Sequence, residues 1–301
     1  MSSAQKADWI AVDWGTSNLR VWAMNGTNVL ARAQAAQGMG ALTRDQFGPT
    51  LDALIADWGV APDTPTIACG MVGARQGWAE APYRSLPCPP LGGTLIRVPD
   101  TTRPVHIIPG LKQTAMPDVM RGEETQIAGF LALNPGWDGV ICLPGTHTKW
   151  AHVSAGEVIS FQTFMTGELF ALLQDQSVLR HSLQGEGIDD AAFDTALADT
   201  LSRPEKLAAS LFAIRAGDLL EGTPGSTNRA RLSGALIGAE LAAAKPYWLG
   251  QQIALIGAKA QTDLYARALQ SQGAPATLTD AERMTLAGLT AAYRALKEEP
   301  S

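Results

Sequence analysis

The sequence predicts a two-domain α/β protein, and three observations predict it. The chain has 301 residues, 46% hydrophobic and 17% charged, which is more material than one core ordinarily holds. Short apolar runs of strand character alternate with helical runs along most of its length. A strand–turn–strand block near the start also recurs at a constant offset of 130 residues. When DWGTSNLRVWAMNGTNVL (13–30) is placed over LPGTHTKWAHVSAGEVIS (143–160), Gly15 meets Gly145, Thr16 meets Thr146 and Gly26 meets Gly156 without a gap. A few identities between glycine-rich segments are weak alone. The shared order of strands and turns is what turns the echo into a duplicated unit, each copy offering a Gly-Thr loop to a cleft.

The elements follow in order. WIAVDW (9–14), LRVWAM (19–24) and VLARAQ (29–34) read as strands, with Asn25-Gly26 as the turn before the third. A helix is expected across 43–59, ended by Gly59 and Pro62. TPTIACG (64–70) is a strand emptying into the glycine-rich GMVGARQGW. The proline-rich stretch 81–110 reads as loop and irregular strand, since proline cannot sit inside a central ladder. RGEETQIAGFLALNPG (121–136) is a helix closed by Asn134-Pro135-Gly136, and GVICLPG (139–145) restarts the strand pattern. From about 161 the chain turns mainly helical, apart from QIALIGA (251–257) and PATLTD (275–280). The first domain is therefore set at 1–115 with a returning C-terminal helix at about 281–301, and the second at 116–280.

Composition narrows the function. A net charge of −6 argues against a general nucleic-acid binder, although a pocket can be locally basic in an acidic protein. Cys69, Cys88 and Cys142 are odd in number and far apart, so a reduced, cytoplasmic setting is the simplest expectation. No zinc-ligand spacing, signal-peptide pattern or run of about 20 apolar residues is present, and LSGALIGAELAAA (232–244), broken by Glu240, reads as a buried helix.

The Gly-Thr loops suit phosphate, because small residues let backbone N–H groups point inward and hydroxyls add donors. Asp13 would not touch an anion directly, but through water it could hold Mg²⁺, which keeps most of its hydration shell. The second loop has Leu143 at that place, so only one metal-organising acid comes from the pair. The plainer alternative is two unrelated tight turns with Asp13 capping its own loop. In ALIGAKAQTDLYARALQSQGA (254–274), a strand, a Gly257-Ala258 bend and a helix would let backbone approach a flat ring such as adenine, though an ordinary connection looks the same. Neither Gly-x-x-x-x-Gly-Lys-Ser/Thr nor a strand-following Gly-x-Gly-x-x-Gly occurs, which disfavours P-loop and dinucleotide folds. PDVMRGEETQ gathers Asp118, Arg121, Glu123 and Glu124 at an expected helix start, where acids are ordinary but an arginine is not. GARQGW carries Arg75, Gln76 and Trp78, a set suited to a polyol bearing a carboxylate, or equally to a solvated arginine beside a half-buried tryptophan.

Taken together, AVDWGTSNLRVW, CGMVGARQGWAEAPY, IIPGL, PDVMRGEETQIAG, CLPGTHTKW and FQTFMTGELFALL resemble, in order, the signature blocks of the 2-dehydro-3-deoxygalactonokinase family. The resemblance runs from about 9 to about 290 and is densest before 173. Ala74 and Thr148 stand where the family has serine; the second keeps a hydroxyl and the first removes one. The resemblance implies the two-domain actin-like ATPase (ribonuclease H-like, duplicated) fold with mixed sheets and an inter-domain cleft. It also implies ATP-dependent phosphorylation of 2-dehydro-3-deoxy-D-galactonate at its C6 hydroxyl, a step of galactonate breakdown.

By position it puts Asp13, Gly15, Thr16, Ser17 and Asn18 in the first phosphate loop and Gly145, Thr146, His147 and Lys149 in the second, with Gly257 and Ala258 at adenosine. Asp13 would hold Mg²⁺ through water. Arg75 or Arg121 would take the substrate carboxylate, with Gln76, Trp78 and Glu168 as further polar or aromatic contacts. The base that accepts the hydroxyl proton is Asp118, Glu123 or Glu124, with Glu123 favoured by analogy with related folds. Expected partners are ATP and a sugar acid, with neither nucleic acid nor membrane, and a homodimer left open. The rivals are another sugar or sugar-acid kinase of this fold, a phosphoanhydride hydrolase and a non-catalytic sugar sensor.

Overall fold

The computed structural model describes residues 6–298. In chain order its elements are β1 (Trp9–Trp14), β2 (Leu19–Asn25), β3 (Asn28–Ala35), α1 (Phe47–Leu54) and β4 (Thr66–Gly70). Short strands follow: β5 (Arg84–Ser85), β6 (Ile96–Arg97), β7 (Val105–Ile107), β8 (Leu111–Gln113) and β9 (Asp118–Met120), then α2 (Glu123–Leu133). Next come β10 (Gly139–Leu143), β11 (Thr148–Ser154), β12 (Glu157–Phe164), α3 (Thr166–Gln176), α4 (Asp190–Ser202), α5 (Leu207–Glu221) and α6 (Gly225–Ala243). The one-turn α7 (Lys245–Trp248), β13 (Ile253–Gly257), α8 (Lys259–Ser271), β14 (Ala276–Asp280) and α9 (Ala281–Glu298) complete the chain.

Among the described residues there are two compact units. One comprises everything up to Asp138, together with Val153–Ser160 and everything from Ala281 on; the other comprises Gly139–His152 and Phe161–Asp280. The sequence reading began its second domain at 116, whereas the division falls after Asp138. The reason is pairing. β9 closes an antiparallel ladder with β8, and α2 packs along α9, so Asp118, Arg121, Glu123 and Glu124 all belong to the first unit.

In the first unit the main sheet runs β3-β2-β1-β4-β7-β6, and a small sheet runs β5-β8-β9. β1 is antiparallel to β2 and parallel to β4, which puts Asp13 between Arg20 and Cys69. The main sheet is buried on both faces, which is why β1 is apolar almost throughout. Ile10, Val12 and Trp14 pack with Leu19, Val21, Phe47 and Leu51 on one side. Trp9, Ala11, Trp22 and Cys69 pack with Leu289, Ala292 and Tyr293 of α9 on the other. Alternation along the strand therefore turns Asp13 toward the face that holds Ala11 and Cys69.

The second sheet runs β12-β11-β10-β13-β14, with β10, β13 and β14 parallel. Its five positions repeat the first five of the other sheet, and the offset of 130 carries Trp9, the start of β1, onto Gly139, the start of β10. Its core joins Val140, Cys142 and Trp150 to Phe193, Leu197, Leu241, Leu255 and Tyr265.

Three local expectations need correction. The helix expected across 43–59 is α1 alone, with single 3-10 turns at Arg44–Gln46 and Ala56–Trp58. A capping box between Thr43 and Gln46 closes the first turn separately, and Pro49, which has no N–H to donate, fits only near a helix start. The helical part of the second half starts at Thr166, because β12 continues to Phe164. Asp118 lies in a strand, not at a helix start, and the three residues to Arg121 span about 10 Å of extended chain.

Candidate active site

In the first unit, the loop after β1 is held so that its carbonyls are all spent. Gly15 O accepts from Met39 N, Thr16 O from Gly40 N, Ser17 O from Gly38 N and Asn18 O from Gly15 N, at 2.9–3.1 Å. The Trp14 indole anchors that buttress by donating to Gln37 O at 2.9 Å. With its oxygens tied back, the loop exposes Thr16, Ser17 and Asn18 as amide and hydroxyl donors, the polarity an anion needs. Sequence reasoning missed the buttress at Gly38–Gly40. Gly-Met-Gly was the available signal, since a Cβ on Gly38 would stand 2.2 Å from Thr16 O.

Asp13, the penultimate residue of β1, precedes this loop with its side chain 14% exposed. Its Oδ2 accepts from Arg20 Nη2 at 2.5 Å, and Cys69 Sγ lies 3.9 Å from its Oδ1. Burial pushes the Asp13 carboxyl up, and the Arg20 guanidinium pulls the other way. Gly70, at the end of β4 with φ +91°, lets the next elements close in, because a Cβ there would stand 2.7 Å from Trp14 O and 3.4 Å from Asp13 Oδ1. A Cβ on Gly122 would in turn touch Gly70 Cα at 3.3 Å. The start of α2 is thus brought against the ends of β1 and β4.

That start carries the acids. Glu123 is half-buried, and its Oε2 accepts from Arg121 N at 2.9 Å. Glu124 is fully buried; Oε2 accepts from Gly122 N at 2.7 Å, and Oε1 accepts from Thr125 Oγ1 at 3.1 Å. Burial, then the neighbouring Glu123 charge, push its carboxyl up to about 8. Burial, Asp13 and Glu124 together push the Cys69 thiol up as well. Asp118 sits on β9 with Oδ1 accepting from Val119 N, apart from this cluster along the strand.

Arg121 is the unusual group. It is 8% exposed, its Nη2 donates to Ala81 O at 2.7 Å, and its guanidinium lies over the Tyr83 ring, 4.2 Å from the centroid. Its Nε and Nη1 are buried without a hydrogen-bond partner. A buried guanidinium with unspent donors is costly unless something supplies acceptors. By contrast, Arg75 is exposed, with Glu80 3.8 Å away, and Gln76 is exposed beside it. Trp78 stacks on Phe47 at 5.9 Å and meets Trp14 edge-on at 6.0 Å, so its ring is packed into the core.

In the second unit, the loop Pro144–His147 rests on the start of α3. Glu168 N donates to Thr146 O at 2.9 Å, and Gly167 lies so close that a Cβ would stand 2.1 Å from Gly145 O. His147 Nε2 and Glu168 Oε2 are 2.5 Å apart, so two residues expected in different roles form one pair. Thr146 and His147 are exposed, whereas Lys149 is buried in β11. Gly257 packs beside Pro144, a Cβ there reaching Pro144 O at 3.1 Å, which sets the Gly257-Ala258 bend next to this loop. The Thr148 hydroxyl bonds Tyr265 Oη at 3.0 Å, and Glu240, read from sequence only as an interruption in a buried helix, lies just beyond.

The duplicated sheet order and the donor-rich loops define a two-domain α/β protein with the actin-like ATPase fold. Component A of (R)-2-hydroxyglutaryl-CoA dehydratase from Acidaminococcus fermentans is similar in fold, its structure matching over 96% of this chain and 99% of its own at TM-score 0.53 and 13% identity. Residues 13–292 match the family model described as 2-keto-3-deoxy-galactonokinase. The chain belongs to that family of carbohydrate kinases. It is 40% identical to a probable 2-dehydro-3-deoxygalactonokinase of Rhizobium meliloti, covering 96% of this chain and 97% of that one. It is 35% identical to the 2-dehydro-3-deoxygalactonokinase of Escherichia coli, covering 94% and 96%. A crystal structure from Sinorhizobium meliloti, of a protein assigned as the same kinase, matches at TM-score 0.91 and 39% identity over 96% of this chain and 99% of that one.

Proposed function

We propose that this chain transfers the terminal phosphoryl group of ATP to the C6 hydroxyl of 2-dehydro-3-deoxy-D-galactonate in galactonate catabolism, in the cytoplasm. One assembly carries the reading: the Asp13 loop with its carbonyls tied back, and the Arg121–Glu123 turn drawn against Gly70, both in the first unit. The first element suits phosphate and the second suits a sugar acid.

Phosphoryl transfer asks for positioning and charge neutralisation more than for covalent help. The N–H and hydroxyl groups of Thr16, Ser17 and Asn18 take phosphate oxygens, with Gly15, whose N–H is held by Asn18 O, shaping the turn; those of Gly145 and Thr146 do the same in the second loop. Lys149 supplies positive charge, His147 offers a ring nitrogen beside the phosphates, and Gly257-Ala258 accommodates the adenosine. Arg121 receives the substrate carboxylate on the donors it leaves unspent, in preference to the exposed Arg75; Gln76, Trp78 and Glu168 remain secondary contacts. Glu123 orients the C6 hydroxyl and accepts its proton as the oxygen bonds to phosphorus and ADP leaves. Glu124 is the poorer base because it is fully buried with both oxygens engaged, and Asp118 because its strand holds it away.

Among the described residues no group of three or more His, Cys, Asp or Glu could cage a metal. A lone carboxylate with water and phosphate oxygens still suits Mg²⁺, and Asp13 is that carboxylate. When bound there with ATP, the cation would neutralise charge developing on the phosphates.

The test is ADP release measured with and without a panel of 2-keto-3-deoxy sugar acids, with the product's phosphate located by NMR. Acceptor-dependent ADP and a C6 phosphate are expected. Equal ADP release without acceptor would remove the kinase reading and favour a hydrolase.

A further inference from the structure

Beyond the loops themselves, the second unit contains a buried polar centre that phosphate binding does not explain. Glu240, on α6, is 3% exposed inside a core of Cys142, Trp150, Leu241 and Tyr265. Its Oε1 accepts from Trp150 Nε1 at 2.8 Å, and its Oε2 accepts from Tyr265 Oη at 2.7 Å and from Thr166 Oγ1. Because Tyr265 gives its proton to Glu240, its oxygen is left to accept, and Thr148 donates to it at 3.0 Å. One carboxylate therefore ties together α6, β11, α3 and α8. Burying a carboxylate costs several kcal/mol, and an apolar side chain of similar volume could fill the space at no such cost. Its presence here asks for a reason other than stability.

We propose that Glu240 is a positioning residue for the Gly145–His147 loop, gripping it from both sides through Thr148 and Thr166. Thr148 is the residue that follows the loop. Thr166 opens the helix turn in which Glu168 N–H donates to Thr146 O and Gly167 lies close against Gly145 O. Tyr265 lies on α8, the helix that begins just after the Gly257-Ala258 bend, so the same centre fixes the segment beside Pro144. The proposal rests on the reading that this loop holds ATP phosphates.

The test is steady-state kinetics of Glu240→Gln and Tyr265→Phe with both substrates varied, alongside thermal unfolding, with Thr146→Ala run in parallel. Glu240→Gln keeps the shape but puts an amide N–H₂ where only acceptors fit. Tyr265→Phe removes one link and leaves the carboxylate its other two donors. We expect KM for ATP to rise at least about fivefold in both, the equivalent of about 1 kcal/mol, with KM for the sugar acid within twofold. Tyr265→Phe should retain a Tm close to that of the parent. If KM for ATP stays unchanged in both, or if the two KM values move together as Tm falls, the centre is only structural and the proposal fails. Thr146→Ala separates the two failures: it raises KM for ATP whenever the loop holds phosphate, so its silence overturns the functional reading itself.

Discussion

Arg121 lies over the ring of Tyr83, its guanidinium carbon 4.2 Å from the ring centroid, while Ala81 O takes one of its N–H groups. The aromatic face and the carbonyl fix the plane of the cation without satisfying Nε or Nη1. If those donors serve the substrate carboxylate, Arg121→Lys keeps the charge but loses the plane and the spare N–H groups. Loss of a charge-assisted hydrogen bond predicts a fall in kcat/KM for the sugar acid of about 10- to 100-fold, with KM for ATP unchanged. An equal loss toward both substrates would place Arg121 in the scaffold and not at the carboxylate.

Asp13→Asn tests the metal role. The amide is isosteric, and Arg20 can still donate to its oxygen, so unfolding should shift by only a few degrees. Loss of the one carboxylate offered to Mg²⁺ should lower kcat by about 100- to 1,000-fold, comparable to the loss of a main electrostatic contact in other enzymes. Turnover within a few-fold of the parent, at any Mg²⁺ concentration, would refute the assignment.

Gly145→Ala and Gly38→Ala make a contrasting pair. A Cβ on Gly145 meets nothing within 4 Å, so the alanine should fold with an unchanged Tm. If the loop holds phosphate, that methyl occupies the space the ligand needs, and KM for ATP should rise about tenfold or more with no stability loss. On Gly38 the Cβ would stand 2.2 Å from Thr16 O and 2.4 Å from Ser17 N, all backbone with no room to yield. That variant should lose both Tm and ATP affinity, because the buttress must shift and the loop with it. Unaltered ATP kinetics in Gly145→Ala would speak against phosphate at this loop.

The sequence made legible whatever is written in short-range periodicity. β1, β2 and β3 alternate or run apolar between glycine turns, and the same rhythm returns in β10, β11 and β12, so the duplication could be read before any coordinate. β7 was hidden in a stretch read as loop and irregular strand because it has three residues, shut between Pro104 and Pro109, yet it fills the fifth place in the main sheet. The helix start at Glu123 was visible, but not the boundary after Asp138, which depends on α9 returning to pack on α2. The site divides in the same way. Asp13 and both Gly-Thr loops announced themselves through residue type. Glu240 did not, because its donors Tyr265, Thr166 and Trp150 stand 25, 74 and 90 residues away and only folding collects them.

The buried carboxyl of Glu124 makes a prediction about pH. Its ordinary value is 4.5, and in the folded chain it is pushed up to about 8, chiefly by burial and then by Glu123. Between those limits the folded protein holds a proton that the unfolded chain has released. The folded state thus binds more protons, and stability falls as pH rises. The contribution is full below about 4.5 and is lost as pH climbs through 8, a change of up to about 5 kcal/mol over the whole window. Glu124→Gln mimics the protonated form at every pH, with its oxygen on Gly122 N–H and its amide toward Thr125. Measured by thermal unfolding from pH 5 to pH 9, the two proteins should start near one another, after which the parent's Tm should fall increasingly below the variant's. Parallel curves would mean that Glu124 ionises in the folded state as freely as in water, and that the pocket between β4 and α2 is wetter than its full burial implies.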